Sequence, residues 1–197
     1  MPNTNRHIAF MVRSSDYIAS AEALLKSAKN NELGLNSDDP IDQLVGHGFE
    51  IALKARLLQI DPTANVRKYN HNILTLYDHL IDTSAGFAGI STVVENSWRD
   101  LLLHDRRQVV KTCGSFASAL NELGLPTEQE ITDTPIDLRI DVEWYSMRME
   151  TNGNLFRYHQ TRVDSWRNLR FCGQDYHCSR QSLIWAAKLI NAGTGTK

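Results

Sequence analysis

The fold class is decided by residues 38–58, which run DDPIDQLVGHGFEIALKARLL. Two aspartates offer helix caps ahead of Pro40, a residue favoured at the first helical position. Glu50 precedes Lys54 by four residues, the favourable order for an ion pair on one helix face. Because a glycine costs about 1 kcal/mol inside a helix, we expect Gly46 and Gly48 to allow another helix to approach closely, with a kink in the helix as the alternative. The apolar residues of the stretch recur with helical period at Ile41, Leu44, Val45, Gly48, Ala52, Ala55 and Leu58.

Helical periodicity continues on both sides of this segment. A first helix is predicted to start at a cap among Ser14–Asp16 and to end near Asn30, and a loop is predicted over Ser84–Gly89. The remaining predicted helices cover residues 68–82, residues 91–123 with a break near Cys113, and a last helix from the cap Ser179 to Gly193.

A period of two residues interrupts this pattern before the last helix. Apolar side chains at 136, 138, 140, 142 and 144 alternate with charged ones, which predicts a strand. Asn152-Gly153 is a strong hairpin turn, placing Met149 opposite Phe156 and Met147 opposite Tyr158. The alternative is a helix through Trp144–Glu150 that ends at Gly153. We therefore predict a mainly α, up-and-down bundle of five or six helices in one domain over residues 1–197, with a small β-hairpin before the last helix.

The composition of the chain excludes several classes of protein. Its 197 residues are 42% hydrophobic and 22% charged, which is ordinary for a globular protein and excludes a disordered or collagenous chain. A net charge of −2 argues against coating nucleic acid by bulk charge. No stretch has the ~18 consecutive apolar residues of a membrane span, and no signal-peptide pattern opens the chain. Three cysteines, an odd number, favour reduced thiols and a cytoplasmic location.

Two segments of the chain resemble the HEPN superfamily. Residues 49–58, FEIALKARLL, and residues 71–77, HNILTLY, are similar to the "E-x-A-L-K-A-x-L" and "H-x-L-x-x-L" helices of that superfamily. The resemblance covers residues 40–82. It implies an up-and-down helical bundle that dimerises, binds RNA or a nucleotide, and in some members acts as a metal-independent endoribonuclease of a toxin or defence system. Other members have no known catalysis.

The nuclease members carry an arginine, four to six residues, and then a histidine. Two pairs in this chain match: Arg99 with His104, where a polar residue follows the arginine, and Arg170 with His177, just before the last helix. A histidine of near-neutral pKa can activate a 2′-hydroxyl, and an arginine can stabilise the charged phosphorus centre without a metal. Residues five apart on one helix differ by about 140° around its axis, so Arg99 and His104 would meet only across a dimer.

An arginine-rich and aromatic segment fills residues 136–178. Between Arg139 and Arg180 there are seven arginines, no lysine, and seven aromatic residues, which makes residues 139–197 net positive and residues 1–138 net negative. Three interpretations stay open: phosphate contacts with base stacking, a protein interface, or arginine stems packed over the bundle. The first would use Arg157, Arg162, Arg167 and Tyr158 as substrate-binding residues.

Neither a metal ion nor another cofactor is expected. His159, Cys172, His177 and Cys178 are suitable zinc ligands by type, but their spacing does not fit a zinc site. His71 is expected to be a structural residue bonded to a loop backbone, and His47 a surface residue. Two functions remain: an RNA- or nucleotide-directed protein, endoribonucleolytic if it is an enzyme, or a non-catalytic homodimeric protein-interaction bundle.

Overall fold

A computed structural model describes residues 5–29, 39–113, 127–133, 137–150 and 177–193. Within these ranges the chain is mainly helical and contains no strand. The helices are α1 (Arg6–Lys29), α2 (Asp39–Ile60), a 3₁₀ turn (Val66–Tyr69), α3 (Ile73–Thr83), α4 (Ala85–Cys113), α5 (Glu128–Asp133), α6 (Leu138–Glu150) and α7 (His177–Asn191). No helix of these ranges is long and apolar enough to cross a membrane.

Helix α2 lies at the centre and contacts α1, α3, α6 and α7. Its apolar side chains are buried on most of its circumference, among them Ile41, Val45, Phe49, Leu53 and Leu58. The mainly α prediction and the helix predicted from Pro40 are confirmed. Because neighbouring helices cover most of its circumference, α2 needs apolar side chains on several faces, which explains the strong apolar pattern of this segment.

The two glycines of α2 do permit close approach. A Cβ atom on Gly48 would lie 2.7 Å from Cδ1 of Ile18 in α1, and one on Gly46 would lie 2.7 Å from Sδ of Met149 in α6. The hydroxyl of Ser14 donates a hydrogen bond of 2.7 Å to the carbonyl of Gly48. The helix start predicted among Ser14–Asp16 is wrong, because α1 begins at Arg6. Ser14 is a buried residue inside this helix.

The loop predicted over Ser84–Gly89 is also wrong, because α4 starts at Ala85. The Ser84 hydroxyl accepts a hydrogen bond from the backbone N–H of Phe87, as a helix cap does. The buried ring of Phe87 packs edge-on against Tyr77 of α3, with ring centroids 5.5 Å apart. Burial of this aromatic ring therefore outweighs the turn-forming tendency of the neighbouring glycines.

The strand predicted over residues 136–144 is wrong, since Leu138–Glu150 is helix α6. Leu138, Val142, Tyr145 and Met149 are buried at helical spacing, whereas Ile140 is 47% exposed. Met147 and Met149, which the hairpin required as strand residues, belong to the same helix. The Asn152-Gly153 turn, Phe156 and Tyr158 lie outside the described residues. The helix kept as the alternative is the one found, beginning at Leu138.

Candidate functional site

A buried carboxylate with three polar neighbours lies between α2 and the turn before α3. The Oε2 atom of Glu50 is 3.1 Å from Nδ1 of His71 and 3.5 Å from Nδ1 of His47. Its Oε1 atom accepts a hydrogen bond from Lys54. The Lys54 ammonium also donates to the carbonyl of Asn70 at 2.6 Å. The carboxylate therefore ties the turn before α3 to the side of α2, and we call Glu50, His47, His71 and Lys54 the Glu50 cluster.

The helical register of α2 and the local turn explain this placement. His47, Glu50 and Lys54 are three and four residues apart, so they share one face of α2. Asn70 adopts a positive φ of 48°, a conformation that asparagine tolerates better than most residues. The Asn72 side chain accepts a hydrogen bond of 2.7 Å from Thr75 N–H and caps α3. His71 is thereby held between the turn and the helix start, facing Glu50.

Glu50 is ionised at neutral pH. Burial raises its pKa, but hydrogen bonds from His47 and Lys54 outweigh burial and bring the pKa to about 2. An ionised carboxylate only accepts hydrogen bonds, so Nδ1 of His71 carries the proton in their contact. This leaves Nε2 of His71 towards solvent, since 58% of its side chain is exposed.

A second candidate site is a groove between α4 and α7, with a volume of about 690 Å³. Such a volume lies in the range of small-molecule sites. His104 lines the groove and is exposed, and Trp185 lines it from α7, its ring 5.7 Å from that of Trp98. The other lining residues are the apolar Val93, Val94, Leu101 and Leu189 and the polar Ser97, Asp100 and Lys188.

Arg99 is not among the described residues that line this groove. It is half-buried in α4, where Nη1 donates to Oδ1 of Asn96 at 3.3 Å, and its buried Nε has no hydrogen-bond partner within the described residues. Within one chain, therefore, Arg99 and His104 do not converge, as their separation of about 140° around a helix requires. Among the described residues, Nε of Arg99 is thus a donor without an acceptor. His104 lies at the open groove between α4 and α7.

The other predicted site residues cannot be placed in the same way. Arg170, together with Arg157, Arg162, Arg167 and Tyr158, lies outside the described residues. His177 is the first residue of α7, but its side chain is outside the described part. Among the described residues the ring of His71 contacts the Glu50 carboxylate, not the loop backbone that was expected. His71 also precedes the first residue of α3, so it is not on the apolar face of that helix.

Sequence reasoning missed the Glu50 cluster as a site. The spacing of His47 and Glu50 by three residues was a usable signal, because side chains at that spacing are neighbours on a helix. The contact of His71 with Glu50 gave no signal, since only the path of the chain from α2 through the 3₁₀ turn brings His71 back to α2.

Comparison with known proteins adds no relative. The chain matches no protein-family model, no curated protein and no solved structure.

Proposed function

We propose that this chain is a HEPN-like, RNA-directed protein that cleaves RNA without a metal ion, using Arg99 and His104 across a homodimer. The observation that carries the proposal is the exposed His104, which lines the same groove of about 690 Å³ as the indole of Trp185. An indole face can stack on a nucleotide base, and an imidazole beside it can reach the ribose.

Helical architecture and one set of contacts support the resemblance. Glu50, Lys54 and His71 are the polar residues of the two HEPN-like motifs, and the side chains of Lys54 and His71 both contact Glu50. Residues that lie 21 positions apart thus form one polar cluster between the two helical segments. This contact gives the two short motifs a common structural role in positioning α3 against α2.

The chemistry needs only side chains. An imidazole nitrogen of His104 takes the proton of a 2′-hydroxyl while the 2′-oxygen bonds to phosphorus. The bond from phosphorus to the 5′-oxygen breaks, and that oxygen leaves with a proton from solvent. A 2′,3′-cyclic phosphate and a free 5′-hydroxyl result. The guanidinium of Arg99 from the second copy stabilises the extra negative charge on the phosphate oxygens.

The groove has little free positive charge within one chain, so the proposed phosphate contact needs a cation from elsewhere. Lys188 lines the groove but pairs with Glu22 at 2.5 Å, and Asp100 adds a negative charge to the same wall. A cation brought by Arg99 of a second copy offsets this charge. The arginine-rich residues 157–167, which lie outside the described residues, are proposed to supply further phosphate contacts.

The test is cleavage of a mixed RNA pool in EDTA by the purified chain. His104→Ala and Arg99→Ala are expected to lower the rate by at least 100-fold, the scale of one general base or one charge-stabilising group. His79→Ala on α3 and Arg107→Ala on α4 are the matched controls and are expected to keep the wild-type rate. Cleavage that survives His104→Ala contradicts this site.

The apolar wall of the groove favours a second function, a non-catalytic homodimeric interaction bundle. Val93 is 51% exposed, and Leu101, Trp185 and Leu189 line the same groove. This function predicts no RNA cleavage and a homodimer that dissociates in the variant Leu101→Asp. A monomer at micromolar concentration, measured by light scattering, contradicts both functions.

A further inference from the structure

The two histidines and the glutamate of the Glu50 cluster present three ligand atoms to one point. One ring nitrogen of His47, one ring nitrogen of His71 and one carboxylate oxygen of Glu50 all lie within 4.8 Å of one another. Zinc bonds of 2.0–2.1 Å in a tetrahedron place ligand atoms about 3.3–3.5 Å apart. The two separations from Oε2 of Glu50, 3.1 and 3.5 Å, are already close to that spacing.

We propose that His47, Glu50 and His71 bind a divalent transition-metal ion of the zinc class. The ion replaces the contacts between the imidazoles and Oε2 of Glu50. A proton on either Nδ1 moves to Nε2 through solvent, so each neutral imidazole binds the ion through Nδ1. His71 is exposed and rotates to shorten the remaining separation from His47. Solvent fills the fourth position.

The position of Lys54 determines the orientation of the carboxylate. Its ammonium holds Oε1 of Glu50 and the carbonyl of Asn70, so Oε2 is the atom left to face the two histidines. Metal-bound carboxylates are commonly oriented by such a hydrogen bond to the second oxygen. His47 is 25% exposed and His71 is 58% exposed, which leaves the site open to solvent on the histidine side.

The charges of the cluster select the class of ion. Lys54 offsets the formal charge of Glu50, so two imidazole nitrogens supply most of the affinity. Mg²⁺ and Ca²⁺ prefer several oxygen ligands and are poorly served here. Imidazole suits Zn²⁺, Cu²⁺ and Ni²⁺. Binding connects the turn before α3 to α2 and is expected to raise the melting temperature of the folded chain.

The experiment uses the full chain with Cys113, Cys172 and Cys178 replaced by serine, so that thiolates do not bind the ion. Calorimetric titration with Zn²⁺ is expected to give one ion per chain, and Co²⁺ is expected to give visible absorption bands of nitrogen and oxygen ligation. His71→Ala and His47→Ala are each expected to weaken binding at least tenfold. His79→Ala is the matched control and is expected to bind as the parent does.

The exposed His71 makes its variant the decisive one, because its removal leaves α2 intact. Zn²⁺ is expected to raise the melting temperature of the parent and not that of His71→Ala. Zinc affinity unchanged in both His47→Ala and His71→Ala overturns the site, and so does displacement of Zn²⁺ by millimolar Mg²⁺. The zinc site does not depend on the proposed RNA cleavage by His104 on α4. Zinc titration tests the first proposal and RNA cleavage in EDTA tests the second, so either can fail without the other.

Discussion

The guanidinium Nε of Arg180 lies 2.6 Å from Oδ1 of Asp42, and both side chains are buried. The hydroxyl of Tyr145 donates to the same carboxylate oxygen at 3.0 Å. One carboxylate near the start of α2 thus joins α6 and α7 in the interior, where unpaired charge is costly.

Removing the cation of this pair is expected to destabilise the fold. In Arg180→Met the buried Asp42 carboxylate loses its positively charged partner and keeps the hydrogen bond from Tyr145. We therefore expect the free energy of unfolding to fall by about 3–5 kcal/mol. Urea denaturation measures it. The control is Arg139→Met, which removes an exposed pair with Asp78 and is expected to have a much smaller effect. Equal losses in the two variants would contradict the importance of the buried pair.

Two glycines on different helices are expected to respond to alanine in opposite directions. A Cβ on Gly48 meets the buried Ile18, so Gly48→Ala is expected to destabilise the chain by about 1–2 kcal/mol. A Cβ on Gly89 has nothing within 4 Å, so Gly89→Ala is expected to stabilise α4 by up to about 1 kcal/mol. Thermal unfolding of both variants and of the parent measures the two changes in stability. A stabilising effect of Gly48→Ala would contradict the close packing of α1 on α2.

The half-buried Asp141 is expected to make stability depend on pH. Burial raises its pKa to about 7, although Ser182 donates a hydrogen bond to the carboxylate. Between about pH 4 and pH 7, therefore, Asp141 is protonated in the folded chain but ionised in the unfolded chain, where its pKa has the ordinary value of 3.8. Its contribution to stability is fully present below about pH 4 and is lost as the pH rises to about 7.

The replacement Asp141→Asn tests this pH dependence. The variant cannot ionise, so we expect its stability to fall less than that of the parent between pH 4 and pH 8. Asp82→Asn, an exposed change on α3, is the control and is expected to follow the parent curve. Parallel curves for the parent and Asp141→Asn would show that Asp141 does not titrate in this range.

Mixed dimers distinguish pairing across two copies from pairing within one. If Arg99 of one copy serves His104 of the other, a mixture of Arg99→Ala and His104→Ala chains contains hybrid dimers with one intact site. Random exchange makes half of the dimers hybrid, so about a quarter of the wild-type cleavage rate is expected to return. No recovery after exchange would place both groups in one chain or exclude the pair.

The errors of prediction have a common physical origin. Leu138 and Val142 satisfy both a period of two and a helical spacing of four, and alternation alone does not distinguish these cases. Packing against α2 favours the helix, because it buries the side chains of Tyr145 and Met149 beside Gly46. In the same way Ser14 has the chemistry of a cap, but the nearby carbonyl of Gly48 gives its hydroxyl a partner inside the bundle.

The amino-acid sequence alone established the mainly α class and the helix α2 with its close-approach glycines, and it named His104 as a candidate residue. These depend on periodicity and on local residue chemistry, which act over a few neighbouring positions. The packed structure was needed to show that His71 reaches Glu50 and that α6 is a helix. Those outcomes depend on which distant side chains are buried together, and burial is a property of the packed chain.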